Sequence, residues 1–394
     1  MALTSFLILP VLTNYLSPED YGVLSVFNAM ISFFSVFITL GMGQMLLVEI
    51  VKKRHRFPST YRSFFVISAA ATLVSVLVVV ISSFFSGNLF GVPFSYFLFL
   101  PVIAFMVASV DIFLGILIYL EKMMVNVVYT LSKYIIEISA TLFLVIVAGL
   151  NWRGRILGLV ISLVIINICI AFFLQKHKLV SLKKTTKAAQ KNLLFKSIPL
   201  IFMNLGIMII DLSNRFFISH YSGMKETGLY SIAITICSVM MLVLNVFLNV
   251  FRPQMFKSIK EENKSYLKKV ILLFHLLLFA VALVIYMLQP LFFHYLINEK
   301  FIEAERYILP VLTGYFFWGS YNVFLSFLLY ESRNKMVGII SFCSIILNLA
   351  FNFILIPDLG AIGAAYSNMI TYFSLLVAVI LYLYVHKRAK QHEN

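Results

Sequence analysis

Long apolar runs, separated by short polar or basic turns, repeat from one end of this chain to the other. Runs of roughly 18 or more apolar residues can cross a ~30 Å hydrocarbon core as helices rising about 1.5 Å per residue. In the first part they fall at about 22–48, 63–85, 94–119, 123–149 and 156–174. A second set falls at about 197–219, 228–251, 270–293, 305–329, 336–356 and 363–384. Residues 1–16 are apolar but too short to span, and they lack the basic leading region and small-residue cleavage site of a signal peptide. We expect them to be the second half of a first helix whose beginning is missing. With it counted, the pattern predicts an all-α polytopic membrane bundle of about twelve transmembrane helices. The runs do not alternate as membrane β-strands do, which excludes a barrel.

Polar residues inside these spans fall on helical stripes. The second span carries Ser25, Asn28, Ser32, Ser35 and Thr39, and the eighth carries Ser231, Thr235, Ser238, Asn245 and Asn249. The eleventh adds Ser341, Ser344, Asn348 and Asn352. Such hydroxyls and amides commonly hold neighbouring helices together in lipid. At an offset of 206 residues, Gly22-Val-Leu-Ser25 falls on Gly228-Leu-Tyr-Ser231, and Gly154 falls on Gly360. These coincidences predict two six-helix repeats of the same orientation around a central cavity. The halves are residues 1–175 and 197–394, joined by a basic linker at 176–196.

Composition confirms the solvent and excludes other classes. The chain is 61% apolar and 12% charged, against about 45–50% and about 25% in soluble domains. Cys169, Cys237 and Cys343 lie in separate apolar runs, with no metal or disulfide spacing. There is no P-loop, no paired His and no nucleophile elbow, so neither direct ATP drive nor an enzyme activity is indicated. The net charge of +15 does not call for nucleic acid. Of the 31 Lys and Arg, 24 fall on one side once the linker and both termini share that side. Positive charge stays cytoplasmic, so both termini are expected inside.

Charges within spans carry the functional expectation, because each costs roughly 2.5–3.5 kcal/mol at the bilayer centre even on insertion scales. Lys133 and Glu137 lie four apart in the fifth span, on one face with Asn126, Thr130 and Thr141. Asp211 and Arg215 do the same in the seventh, on a face with Asn204 and Ser219. Each pair is either a structural ion pair or part of a water-filled cavity wall. Asp111, in the fourth span, has no partner nearby in sequence and is a candidate to pair with Lys133 or Arg215. His275 and His294 read as packing or interfacial groups.

Three motifs carry a family resemblance. They are Leu16-Ser-Pro-Glu-Asp-Tyr-Gly22, then Asp211 and Arg215 followed by Lys225-Glu-Thr-Gly-Leu-Tyr-Ser231, and Asn348 and Asn352 with Ile356-Pro-Asp-Leu-Gly-Ala-Ile-Gly-Ala-Ala365. Together with span count and halves, they resemble the Wzx-type O-antigen flippases. These form the polysaccharide-transport branch of the multidrug/oligosaccharidyl-lipid/polysaccharide (MOP) exporter superfamily. The resemblance implies a multi-pass protein of the bacterial inner membrane. It would move an undecaprenyl-diphosphate-linked oligosaccharide, an O-antigen or capsule repeat unit, to the periplasmic leaflet by alternating access. Lys133, Arg215, Asn204, Ser219 and Thr130 would then contact substrate. Asp111, Glu137 and Asp211 would hold the bases in place or bind a coupling H+ or Na+, with no other cofactor. A polysaccharide polymerase and a chain-length regulator are the implied protein partners. An ion-coupled drug or metabolite antiporter of the same superfamily stays open as the alternative. A membrane polymerase would need a large outward loop that the sequence lacks.

Overall fold

The computed structural model describes residues 2–52, 57–84, 88–89, 92–180, 187–261, 263–331 and 333–392. Within these, residues 2–5, 7, 44, 48, 51–52, 88–89, 92–95, 187–189, 192, 196, 198–207, 211, 264, 334 and 386–392 are described by backbone alone. The fold is all-α. Its helices are α1 (Ala2–Tyr15), α2 (Pro18–Thr39), α3 (Met42–Lys52), α4 (Phe57–Ser83), α5 (Leu100–Tyr119), α6 (Met123–Leu142), α7 (Asn151–Lys176) and α8 (Lys187–Tyr221), followed by α9 (Gly223–Lys260), α10 (Lys264–Leu291), α11 (Glu305–Tyr330), α12 (Asn334–Leu359) and α13 (Ala361–His392). A two-residue antiparallel pairing, β1 (Asn88–Leu89) with β2 (Val92–Pro93), closes the turn before α5.

Among the described residues, ten helices are long and apolar enough to cross a bilayer. Their outer faces match that solvent. On α4, Leu73 is 67% and Leu77 60% exposed, with Val74, Val78 and Ile81 beside them. An apolar face of that size marks contact with lipid rather than water. This is a multi-pass membrane protein.

Local sequence explains where helices start and stop. Ser17 caps α2 and Asp20 reaches back in a capping box: Asp20 N–H donates to Ser17 Oγ at 3.1 Å and Ser17 N–H to Asp20 Oδ2 at 3.0 Å. Pro18 takes the first helical position, where its missing N–H costs nothing. Between α12 and α13, Gly360 supplies φ +66°, and its N–H donates to Ile356 O at 2.8 Å. That left-handed residue ends one helix and allows the next to start at once.

The sequence reading misses one discontinuity. The run at 22–48 is not one helix: α2 stops at Thr39, Leu40 (φ 47°) and Gly41 (φ 69°) turn left-handed, and α3 begins at Met42. Glycine adopts that conformation freely, but leucine does so at a cost of order 1–2 kcal/mol. The basic linker is also shorter than the charge run, because α8 already begins at Lys187.

The helices form two compact units. One holds Met1–Gly22 with Ser213–Asn394, and the other holds Val23–Leu212. In the first, α9 packs on α1, α10 and α11, and α13 on α11 and α12. Its apolar core includes Leu9, Ile218, Leu229, Tyr230, Phe274, Phe301 and Tyr307. In the second, α5 packs on α3, α4 and α7, and α7 on α6. The contact grouping therefore places α1 with the helices of the second half.

The 206-residue offset also relates two close backbone contacts inside the first unit. A Cβ on Gly22 would collide with the carbonyl of Met224, and a Cβ on Gly228 would collide with the carbonyl of Pro18. At the 206-residue offset Gly22 corresponds to Gly228 and Pro18 to Met224. The contact is thus reciprocal: each glycine sits on the backbone oxygen that corresponds to the one facing its counterpart. Small residues let helix backbones approach this closely in lipid, where apolar burial between helices contributes little.

Candidate functional site

In the unit of residues 23–212, the polar stripe of α6 faces inward. Lys133, Glu137 and Thr141 recur every four residues and are all buried, whereas Thr130 is half-buried. The helix that covers this stripe is α7, brought close by Gly154 and Gly158. Added Cβ atoms there would come within 3.0 Å of the Leu144 carbonyl carbon and 2.8 Å of the Thr141 nitrogen. That spacing of small residues allows Arg155, which lies between them, to reach across. Its guanidinium Nη2 stands 2.7 Å from Glu137 Oε1, and Nη1 donates to Thr141 Oγ1 at 3.1 Å.

This arrangement corrects the sequence pairing. Glu137 is matched by Arg155 from the next helix, not by Lys133 one turn away on its own. The apolar pattern begins its span only at about 156, which leaves Arg155 just outside it. In fact α7 starts at Asn151, and Arg155 belongs to its second turn. The Gly154-x-x-x-Gly158 spacing is the signal that exposes it.

Lys133 is left with a different role. It is 3% exposed, and among the described residues no carboxylate forms an ion pair with it. Its Nζ lies 5.5 Å from the centroid of the Tyr134 ring, and its charge acts on the Asp111 carboxylate. Asp111 is itself exposed on α5, and it lines a cavity beside the end of α2. Among the described residues, α5, α6 and α7 thus bring together a satisfied ion pair, a buried ammonium without a direct counter-ion, and a carboxylate at a cavity.

In the other unit, α8 carries Ser213, Asn214, Arg215 and Ser219. Arg215 and Ser219 are half-buried, and Ser219 Oγ donates to Phe216 O at 3.0 Å within its own helix. Asn204 and Asp211 lie outside the residues whose side chains are described. Sequence reasoning passed over Ser213 and Asn214, both buried. Asn352 Nδ2 donates to Asn214 Oδ1 at 2.8 Å, Ser213 Oγ at 3.0 Å and Asn348 Oδ1 at 3.1 Å. Asn348 Nδ2 donates to Asn368 Oδ1 at 3.0 Å and Thr371 Oγ1 at 3.3 Å. The network ties α8, α12 and α13 together, and it leaves Asn352 Oδ1 buried without a hydrogen bond among the described residues. By contrast the hydroxyls of the α9 stripe are satisfied locally: Ser231, Thr235 and Ser238 each donate to a carbonyl three or four residues back. Those residues keep no donor for a ligand.

At the start of α9 and α11 a second charged group closes the same unit. Arg306 Nη2 donates to Glu226 Oε1 at 2.6 Å, the Tyr307 hydroxyl donates to Glu226 Oε2, and Lys225 Nζ stands 2.9 Å from Glu303 Oε1. These groups are already paired. Among the described residues no cluster of His, Cys, Asp and Glu could hold a metal ion.

Comparison with known proteins adds family and fold. A family model described as "Polysaccharide biosynthesis protein" matches residues 1–259. No curated protein matches the sequence. Among solved structures, an inward-facing multidrug resistance MATE family transporter of the MOP superfamily aligns with TM-score 0.74 at 13% identity, over 99% of this chain and 95% of that one. The lipid II flippase MurJ in an inward closed conformation aligns with TM-score 0.71 at 14% identity, over 97% and 86%. The eukaryotic MATE transporter AtDTX14 aligns with TM-score 0.62 at 11% identity, over 96% and 92%. At such identities the likeness is one of fold.

Proposed function

The chain belongs to the family described as "Polysaccharide biosynthesis protein" and has the fold of MOP transporters, and on that premise we propose that it is a flippase for a lipid-linked oligosaccharide. The cargo in this reading is an undecaprenyl-diphosphate-linked O-antigen or capsule repeat unit, moved from the cytoplasmic to the periplasmic leaflet of a bacterial inner membrane. The concentration of Lys and Arg on the side of the linker and both termini supports an inside location for both ends. No bond of the cargo is made or broken, so the protein acts as a transporter and not as an enzyme. A polysaccharide polymerase and a chain-length regulator are the partners this reading expects.

One observation carries the proposal furthest. Lys133 is a buried ammonium with no direct carboxylate partner among the described residues, and it sits in a protein whose family handles polysaccharide. A diphosphate head group cannot enter hydrocarbon without replacement of its water and screening of its charge. A desolvated lysine supplies both, as a point charge with three donors. Arg215 would add a planar donor fork suited to phosphate oxygens, with Thr130, Asn204 and Ser219 as further polar contacts. The polyprenyl tail would stay in the bilayer while the two repeats alternate access to the head group. Asp111, Glu137 and Asp211 would keep the cations positioned or take a coupling H+ or Na+. The bond from Arg155 to Glu137 supports a positioning role for that acid.

The test is genetic and biochemical together. In cells that depend on this chain, Arg215→Ala and Lys133→Ala should each abolish surface polysaccharide while the protein stays in the membrane at wild-type amount. Wild-type polymer in both variants would refute the assignment of these residues. The open Asp111 carboxylate is the observation that keeps a drug or metabolite antiporter in play, since a carboxylate in a cavity suits an organic cation. Proteoliposomes that expel ethidium under an ion gradient but do not expose a lipid-linked oligosaccharide would favour that second reading.

A further inference from the structure

The interruption between α2 and α3 lies beside Asp111, a carboxylate without an ion pair among the described residues. A cavity of about 190 Å³ opens there, lined by Ser35, Val36 and Thr39 from α2, Gly41 and Gly43 from the break and the start of α3, and Asp111 from α5. Val36, Ala108 and Ile112 make part of its wall apolar, and the polar side chains set among them, Ser35, Thr39 and Asp111, present oxygen only. Thr39 Oγ1 donates to Ser35 O at 2.8 Å, and Ser35 Oγ donates to Ala104 O at 3.3 Å. Both hydroxyl protons are therefore turned toward backbone carbonyls, which leaves lone pairs on the two oxygens free to accept or ligate. The last turn of α2 adds carbonyls whose ladder stops at the break, as at any helix C-terminus. The Leu40 N–H still closes on Val36 O at 3.0 Å, but the left-handed Leu40 and Gly41 carry the chain away before the next turn forms.

Among the described residues the Asp111 carboxylate takes no hydrogen bond and no ion pair. Lys133 acts on it only as a charge at longer range. A strained non-glycine backbone, an interrupted helix and an unpaired carboxylate converge on one cavity, and each is costly in a membrane helix. We propose that this cavity binds a partly hydrated monovalent alkali cation, with Asp111 as the anionic ligand and Ser35, Thr39 and the terminal carbonyls of α2 as neutral ones. One carboxylate with neutral oxygens suits a single positive charge, whereas Ca²⁺ sites draw on more carboxylates. The volume accommodates a cation with several waters, at about 30 Å³ of liquid volume per water. The carboxylate rules out an anion. Interrupted helices whose carbonyl ends meet a cation are an established device in ion-coupled transport.

The assignment of this cation as the coupling ion rests on the flippase reading; the binding site itself does not. The experiment is equilibrium binding of ²²Na⁺ to the purified full chain in detergent, with choline balancing ionic strength. Wild type should bind saturably. Asp111→Asn should weaken binding at least tenfold, Thr39→Val several-fold, and Glu303→Gln, far along the chain on the α11 side, not at all. Elution and melting temperature show whether each variant is folded. Should Asp111→Asn not fold, the Ser35→Ala/Thr39→Val double variant carries the test, with the same direction expected. Absence of saturable binding in wild type, or unchanged binding in the folded Asp111 or double variant, overturns the site. A chain that binds Na⁺ here but does not flip lipid-linked oligosaccharide leaves the site standing and removes the flippase. One that flips without binding Na⁺ does the reverse.

Discussion

The Glu137–Arg155 bond gives the sharpest quantitative test of how α6 and α7 are held. The pair is 2.7 Å apart, with side chains 9% and 18% exposed. At an effective dielectric of about 20 the Coulomb term is roughly 6 kcal/mol before desolvation is counted. Desolvation cancels much of that, so the net worth of the pair is small, but loss of one partner is not. Arg155→Met would strand a carboxylate beside Thr141, in a span where water cannot replace the lost donor. Broken buried pairs cost about 3–5 kcal/mol, whereas joint replacement by apolar groups of similar volume is often neutral or stabilising. The expected order of stability is therefore wild type near Glu137→Leu/Arg155→Met, with each single variant about 3 kcal/mol lower. Reversible unfolding in mixed detergent, run as a double-mutant cycle, measures the coupling. Single variants within about 0.5 kcal/mol of wild type would refute the argument. If the joint variant is as stable as wild type yet moves no cargo, the pair also has a part in transport beyond holding two helices.

Other expectations follow from close contacts and from the amide network. Gly228→Leu and Gly22→Leu place side chains against the carbonyls of Pro18 and Met224, so both should lose most of their folded yield in size-exclusion profiles. Gly338→Ala, with open space around its Cα, should match wild type, and equal yields for all three would remove the crossing from the account of stability. Asn352→Leu strands Asn214 Oδ1 and a Ser213 acceptor site, at about 1–3 kcal/mol per buried group left unpaired. Its melting temperature should fall by several degrees, and an unchanged value would mean that the network is wet. Lys225→Ala removes an exposed bond to Glu303, and its melting temperature should not move, since exposed pairs contribute little.

Much of the architecture is legible in the chain because hydrocarbon imposes length and polarity together. The apolar runs located α4, α5 and α7 in the first half and α9 to α13 in the second, and the 206-residue offset relates the Gly22 and Gly228 contacts. The break at Leu40 was not legible, since Leu40-Gly-Met-Gly43 is apolar or small throughout and leaves mean hydropathy undisturbed. Only backbone dihedrals reveal it. Pairing was legible only where partners share a helix. Glu137 looked matched to Lys133 at four residues, but its true partner stands 18 residues on, across a turn, and proximity there is set by two glycines rather than by charge. Asn348 and Asn352 stood out as a stripe, but Ser213 and Asn214 were masked by the charged residues flanking them. A sequence shows which groups are expensive to bury, but not which neighbour settles that expense.

The reciprocal crossing at Gly22 and Gly228 has a consequence for which substitutions the helices tolerate. Two identical six-helix chains meeting on a twofold axis would form an isologous contact, in which each copy offers the same donor surface and the same acceptor. This single chain shows a contact of that form, with one carbonyl from a proline and the other from a methionine. What faces each glycine is a main-chain oxygen, which no side-chain replacement alters. Residues 18 and 224 can therefore take other side chains without altering the contact, provided that both glycines stay small.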